Sequence, residues 1–162
     1  MAVTIDGAGP LAGATTLNGL TIPTTGFGKV LQVVRATDVT QRTTTSTSFV
    51  DASISVTITP QKSTSAILLI WSTPFCSQST SSATTTMRIT DSSNAAISGS
   101  ENTRNRVAMN AGQFSAVTVG YATPATTSAT TYKGRFAAQD GGTFDIRNDQ
   151  ATGQLFAIEV SA

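Results

Sequence analysis

The residues best suited to acid–base work are nine carboxylates: Asp6, Asp38, Asp51, Asp91, Glu101, Asp140, Asp145, Asp149 and Glu159. Glycoside hydrolysis needs two of them facing each other across a cleft. Most fall instead in turn-forming stretches or at outward strand positions, where a solvated surface is the simpler account. The chain has no histidine, which removes the usual general base, the commonest metal ligand and the physiological pH switch together. Cys76, the single cysteine, closes no intrachain disulfide. With no imidazole to activate it, it reads as a small residue at a strand end. Asp91 with Asn94, and Asp140 with Asp149, offer oxygens to a calcium ion, but neither pair has calcium-loop spacing; Asx turns account for them. No phosphate loop, dinucleotide fingerprint or G-x-S-x-G elbow is present. The expectation is a chain without catalytic residues, metal or cofactor, and not an enzyme.

Binding chemistry has two candidates. Tyr121, Tyr132 and Trp71 are the side chains a sugar-stacking platform would use, although aromatics at alternating strand positions more often fill a core. Arg104 and Arg106 flank Asn105 in a polar stretch beside Glu101, where a solvated loop competes with a glycan or anion contact. The three lysines and seven arginines are otherwise scattered, and the formal net charge is +1. Nucleic-acid binding would need a clustered basic footprint, so no nucleic-acid partner is expected.

The elements that hold these side chains are strands. Thirty threonines and eighteen serines run through short alternating apolar segments broken by turn residues. Threonine's branched Cβ suits a pleated, half-buried surface and costs rotamer freedom in a helix. Charged residues make up only 12%, against about 25% in ordinary soluble domains, so hydroxyls do much of the solvating. Strands are predicted at 30–36, 47–51, 53–59, 66–73, 84–90, 95–98, 113–122, 130–138, 143–148 and 154–160. The pair 130–138 and 143–148 reads as a hairpin around Gln139–Gly142, bringing Phe136 near Phe144 or Ile146 and Arg135 near Asp145. Met87 and Ile89 should face inward, as should Phe156, Ile158 and Val160. Ala66–Trp71 is apolar on both faces, which implies a strand covered on each side, part of it by a neighbouring copy. Its length is far below a membrane span, and no membrane partner is expected. The predicted fold is all-β: an antiparallel β-sandwich, jelly-roll-like, with an extended N-terminal arm. A barrel is the alternative.

The arm is residues 1–28 and the sandwich residues 29–162. The arm is rich in Gly, Ala and Thr and carries one charged residue, Asp6. Its start has neither a basic n-region nor an apolar h-region, so no secretory signal is expected. Six glycines rule out a long regular element there. Ile5, Leu11, Leu17, Leu20, Ile22 and Phe27 nevertheless recur every few residues, which a plain linker does not need. They are the candidate partner-binding residues of an arm that orders against another surface.

Five segments, taken together, carry a resemblance: Gly28–Val34, Thr45–Asp51, Ser55–Pro60, Pro124–Tyr132 and Phe156–Val160. In this order they resemble β-sandwich virion proteins of tailed phages, frequent in phages of cyanobacteria and other aquatic bacteria. Those proteins serve as capsid decoration (cement) proteins and as tail-fibre or tailspike tips. The resemblance covers about residues 28–162. It implies a jelly-roll-like sandwich that forms a homotrimer, with no catalytic residues to carry over. The expectation is therefore a homotrimeric decoration protein on the outer capsid surface of the virion. Its arm would lie on the major capsid protein, and Leu69 and Trp71 would be candidates for trimer packing. The alternative is a receptor-binding fibre tip, with the arm in a tail adaptor and the loops 76–83, 99–106 and 123–129 on host surface glycan. A free carbohydrate-binding module is the more distant alternative.

Overall fold

The computed structural model describes residues 16–17, 20–21, 29–78, 84–106, 112–140 and 142–161. Its strands are β1 (Thr16–Leu17), β2 (Leu20–Thr21), β3 (Val30–Asp38), β4 (Gln41–Thr44), β5 (Val50–Ile58) and β6 (Ala66–Gln78). They continue with β7 (Thr84–Asp91), β8 (Thr103–Arg106), β9 (Gln113–Ala122), β10 (Thr130–Ala138), β11 (Phe144–Arg147) and β12 (Gly153–Val160). Within the arm, β1 and β2 form a two-rung antiparallel ladder, Thr16 opposite Thr21 and Leu17 opposite Leu20.

Every ladder is antiparallel. The smaller main sheet runs β5-β10-β7-β8; the larger runs β3-β12-β6-β11-β4, with β9 on the other side of β6. β11 and β12 lie end to end along one side of β6, pairing Ile146 with Cys76 and Gln154 with Ser72. β4 and β3 follow them in the same way. With each collinear pair taken as one strand, the layers have the orders 1-8-3-6 and 2-7-4-5. That is a jelly roll, two four-stranded layers wound from two Greek keys.

The core lies between the layers. Trp71, Tyr132, Phe136, Phe144, Ile67, Leu69, Met87, Ile89, Ile146 and Leu155 are buried in it. Met87 and Ile89 face inward as their alternation predicts. The 130–138/143–148 hairpin does not form. β10 pairs with β5 and β7, β11 with β4 and β6, so the chain passes between them from one layer to the other. Phe136 and Phe144 do meet, edge to face at 5.5 Å, but from opposite layers. Arg135 stands opposite Asp51 and Arg88, and Asp145 opposite Thr43 and Ser77. Alternation finds which residues share a face; it does not tell a turn within a sheet from an arch between two.

Two irregularities shape the layers. β6 runs through Pro74, where its register with β9 shifts between Thr73 and Cys76, the kind of place where a strand tolerates a residue without an N–H. β5 bulges opposite Gly134, with Ser53 at φ 56° and its N–H donating to Asp51 Oδ1 at 2.7 Å.

Candidate functional site

On two strands of the larger layer the bulkier apolar side chains face away from the core. In β12 the buried set is Leu155, Ala157 and Glu159, while Phe156, Ile158 and Val160 are only half-buried. The expected inward facing of those three is thus inverted. In β9 Ala116, Thr118 and Gly120 point in; Val117, Val119 and Tyr121 point out, with 55, 47 and 54% of their surfaces exposed. Period-two alternation forces the choice. Val117, Val119 and Tyr121 would overfill a space that Gly120 keeps narrow: a Cβ there would lie 3.1 Å from Ile97.

Register lines these side chains up in rows across the layer. One row is Val33, Ile158, Leu68, Tyr121; the next is Arg35, Phe156, Ile70, Val119; a third is Thr37, Gln154, Ser72, Val117. Arg35 is the one charge among these twelve positions, and its guanidinium donates to Gln154 Oε1 at 3.4 Å. The result is a contiguous apolar sheet face with polar groups along its margin. β9 bounds it and pairs only with β6 among the described residues. The strand Gln113–Ala122 contains no charged residue and no proline, the usual devices that blunt an edge. Its last turn is held instead by the Tyr121 N–H, which donates to the Ser98 carbonyl at 2.9 Å.

Leu69 and Trp71, the residues expected at a trimer contact, have no exposed surface. Both point into the sandwich, Trp71 against Gly134, so neither can touch another copy. The outward residues of the same stretch are Leu68 and Ile70. Of the arm candidates, Ile5, Leu11, Ile22 and Phe27 lie outside the described residues, and Leu17 and Leu20 are described by their ladder alone.

Tyr121, Tyr132 and Trp71 do not form one platform: Tyr121 is on the outer face, while the other two are buried. Cys76 is buried too, and burial pushes its thiol up to about 11 despite a compensating hydrogen bond with Thr73. Such a thiol is not a nucleophile at neutral pH. Arg104 and Arg106 sit on a strand, β8, rather than in a loop. Asp140 lies near both, and its carboxyl is held below the usual range chiefly by the Thr84 hydroxyl and then by the Thr84 N–H, which donates to it at 2.9 Å.

Several of the other described carboxylates hold local structure. Asp91 Oδ1 accepts from the N–H groups of Ser93 and Ala95, an Asx turn. Asp38 pairs with Arg42 at 3.4 Å, Asp149 with Arg147 at 3.2 Å, and Asp145 accepts from Thr43 and Ser77. Glu159 is fully buried. Burial alone would raise its pKa, but Gln32 Nε2 and the N–H groups of Gln61 and Lys62 donate to it and hold it below the ordinary glutamate value. Comparison with protein-family models and with curated proteins returns no match for this chain.

Proposed function

We propose that this chain is a structural protein of a tailed-phage virion: a homotrimeric capsid decoration protein that displays its sandwich outward as a knob. The observation that carries the reading is the apolar outer face of the larger layer. Contiguous apolar surface with a polar rim is the mark of an interaction site. Its occupant is further copies of the same chain. The face is nearly free of charge and the chain's net charge is +1, so copies do not repel one another, and no charge pattern on the face calls for a charged partner. The uncharged β9 edge is sheltered by the same contact. The threefold order comes from the resemblance of residues 28–162 to trimeric phage sandwiches.

In this reading residues 1–28 reach the major capsid protein, with Ile5, Leu11, Leu17, Leu20, Ile22 and Phe27 as anchors. Three arms on one trimer bind together, so individually weak contacts add by avidity. A receptor-binding fibre tip is the second reading, favoured by a cleft formed beside the 123–129 loop. There a tail adaptor holds the arm and host glycan meets the loops. The copy number of the chain relative to the major capsid protein in purified particles separates them. Hundreds of copies support decoration, a handful supports a fibre, and absence from the particle removes both.

A further inference from the structure

Five of the chain's ten Lys and Arg residues, scattered in sequence, meet on the outer face of the smaller layer. β10 and β7 turn Tyr132, Phe136, Met87 and Ile89 into the core, so the alternate residues point out. Register sets Lys133 opposite Thr90, Arg135 opposite Arg88, Arg104 opposite Thr86 and Arg106 opposite Thr84. The cations therefore form a diagonal stripe across β10, β7 and β8, about 20 Å long at two residues per step. Arg104 and Arg106 are exposed, and Arg88, Lys133 and Arg135 are half-buried. The carboxylate facing them is Asp51, opposite Arg135, with Asp140 at the corner near Arg104 and Arg106.

The centre of the stripe is a pair of like charges side by side. The Arg88 guanidinium lies 3.8 Å from the centre of the Phe49 ring, which covers one of its faces. Of its nitrogens only Nε is enclosed, and no described residue accepts from the other two. Arg135 donates to Asn94 Oδ1 and to the Phe49 carbonyl. Neither guanidinium forms an ion pair among the described residues; Asp51 Oδ1 accepts from the Ser53 N–H instead. Burial and then the Arg135 charge lower the Arg88 pKa, and an anion between the two would relieve their repulsion.

The surroundings set the chemical class. Arginine's planar fork takes carboxylate, sulfate or phosphate oxygens two at a time. Ser53, Ser55 and Thr57 add exposed hydroxyls beside the cations. The large exposed apolar side chains among the described residues, Val30, Val33, Val39, Val117, Val119 and Tyr121, all lie elsewhere, so this face lacks the apolar centre of a protein interface. Phe49 is engaged by Arg88, which leaves no platform for stacking the bases of a single strand, and a flat sheet face has nothing to enter a duplex groove. These features fit a hydrophilic polymer with repeated acidic groups. We infer that the outer face of the smaller layer binds an acidic polysaccharide, one carboxylate seated at Arg88 and Arg135 and others along the stripe. The site lies within one protomer, on the side away from the apolar face, and does not depend on the virion reading.

Fluorescence anisotropy with the full chain tests this, using a labelled oligogalacturonate long enough to span the stripe, beside neutral dextran and a DNA duplex. The oligogalacturonate should bind, with an affinity that falls as salt is raised, and dextran should not. Arg88→Gln should weaken binding about tenfold, the value of one charged hydrogen bond, with the fold retained by circular dichroism. Arg104→Gln combined with Arg106→Gln should weaken it as well, and being exposed this pair decides the matter if Arg88→Gln disturbs the packing on Phe49. Arg35→Gln, on the other layer, should leave binding unchanged. No binding of the oligogalacturonate at low salt, or binding indifferent to both sets of substitutions, overturns the inference. Tighter binding of the duplex also overturns it and assigns the face to nucleic acid.

Discussion

Leu69 and Ile70 are consecutive in β6 and serve opposite sides of the same layer. Leu69 is fully buried against the second layer, while Ile70 lies between Phe156 and Val119 on the outer face. One residue of sequence therefore separates what holds the protomer together from what faces its surroundings. Leu69→Ala should cost about 2–5 kcal/mol of stability, a transfer loss plus the cavity it leaves, read as a lower urea midpoint.

Gly134 should not accept a side chain. A Cβ there would lie 2.9 Å from the Trp71 ring and from Ile54, both buried. Gly134→Ala should destabilise by about 1–3 kcal/mol through overpacking, visible in thermal unfolding. Unchanged stability would mean that the close approach of β10 to Trp71 is misplaced.

Glu159 predicts an acid limb. Its folded pKa is below the ordinary value of 4.5, so its contribution is complete above that value and is lost as pH falls through the folded value. Glu159→Gln places an amide N–H₂ among N–H donors. The variant should be less stable at neutral pH, with a stability profile that is flatter across the acid range. Urea midpoints at neutral and acid pH measure both effects.

The Cys76 thiol, pushed up to about 11 by burial, should resist iodoacetamide and disulfide reagents in the native protein at pH 8. It should react fully once the chain is unfolded in denaturant. Native-state labelling at the rate of a free thiol would contradict its placement.

The strands and much of the core were legible because alternation is a local signal: Met87 and Ile89 are buried as their pattern says. The outer face was not, because alternation gives two faces without saying which is inside. The pattern points Phe156, Ile158 and Val160 inward, yet the set that is buried is the one containing Glu159. Donors distant in sequence, Gln32 and two backbone N–H groups among them, make that carboxylate fit to bury. The same ambiguity places Leu69 and Trp71 on an outward contact face, whereas they are buried and Leu68 and Ile70 are the outward residues. The cleft beside the 123–129 loop has no local signature, since it arises where β9 and the turn after β7 converge.

The most direct test of the assembly through the outer face is sedimentation of the full chain, wild type beside Ile70→Lys. The wild type should sediment at three times the chain mass. Ile70→Lys should remain folded by circular dichroism and sediment as a monomer, since a charge is costly in an apolar interface and harmless on an exposed sheet. A monomeric wild type, or an Ile70→Lys protein that keeps the wild-type mass, would contradict the account.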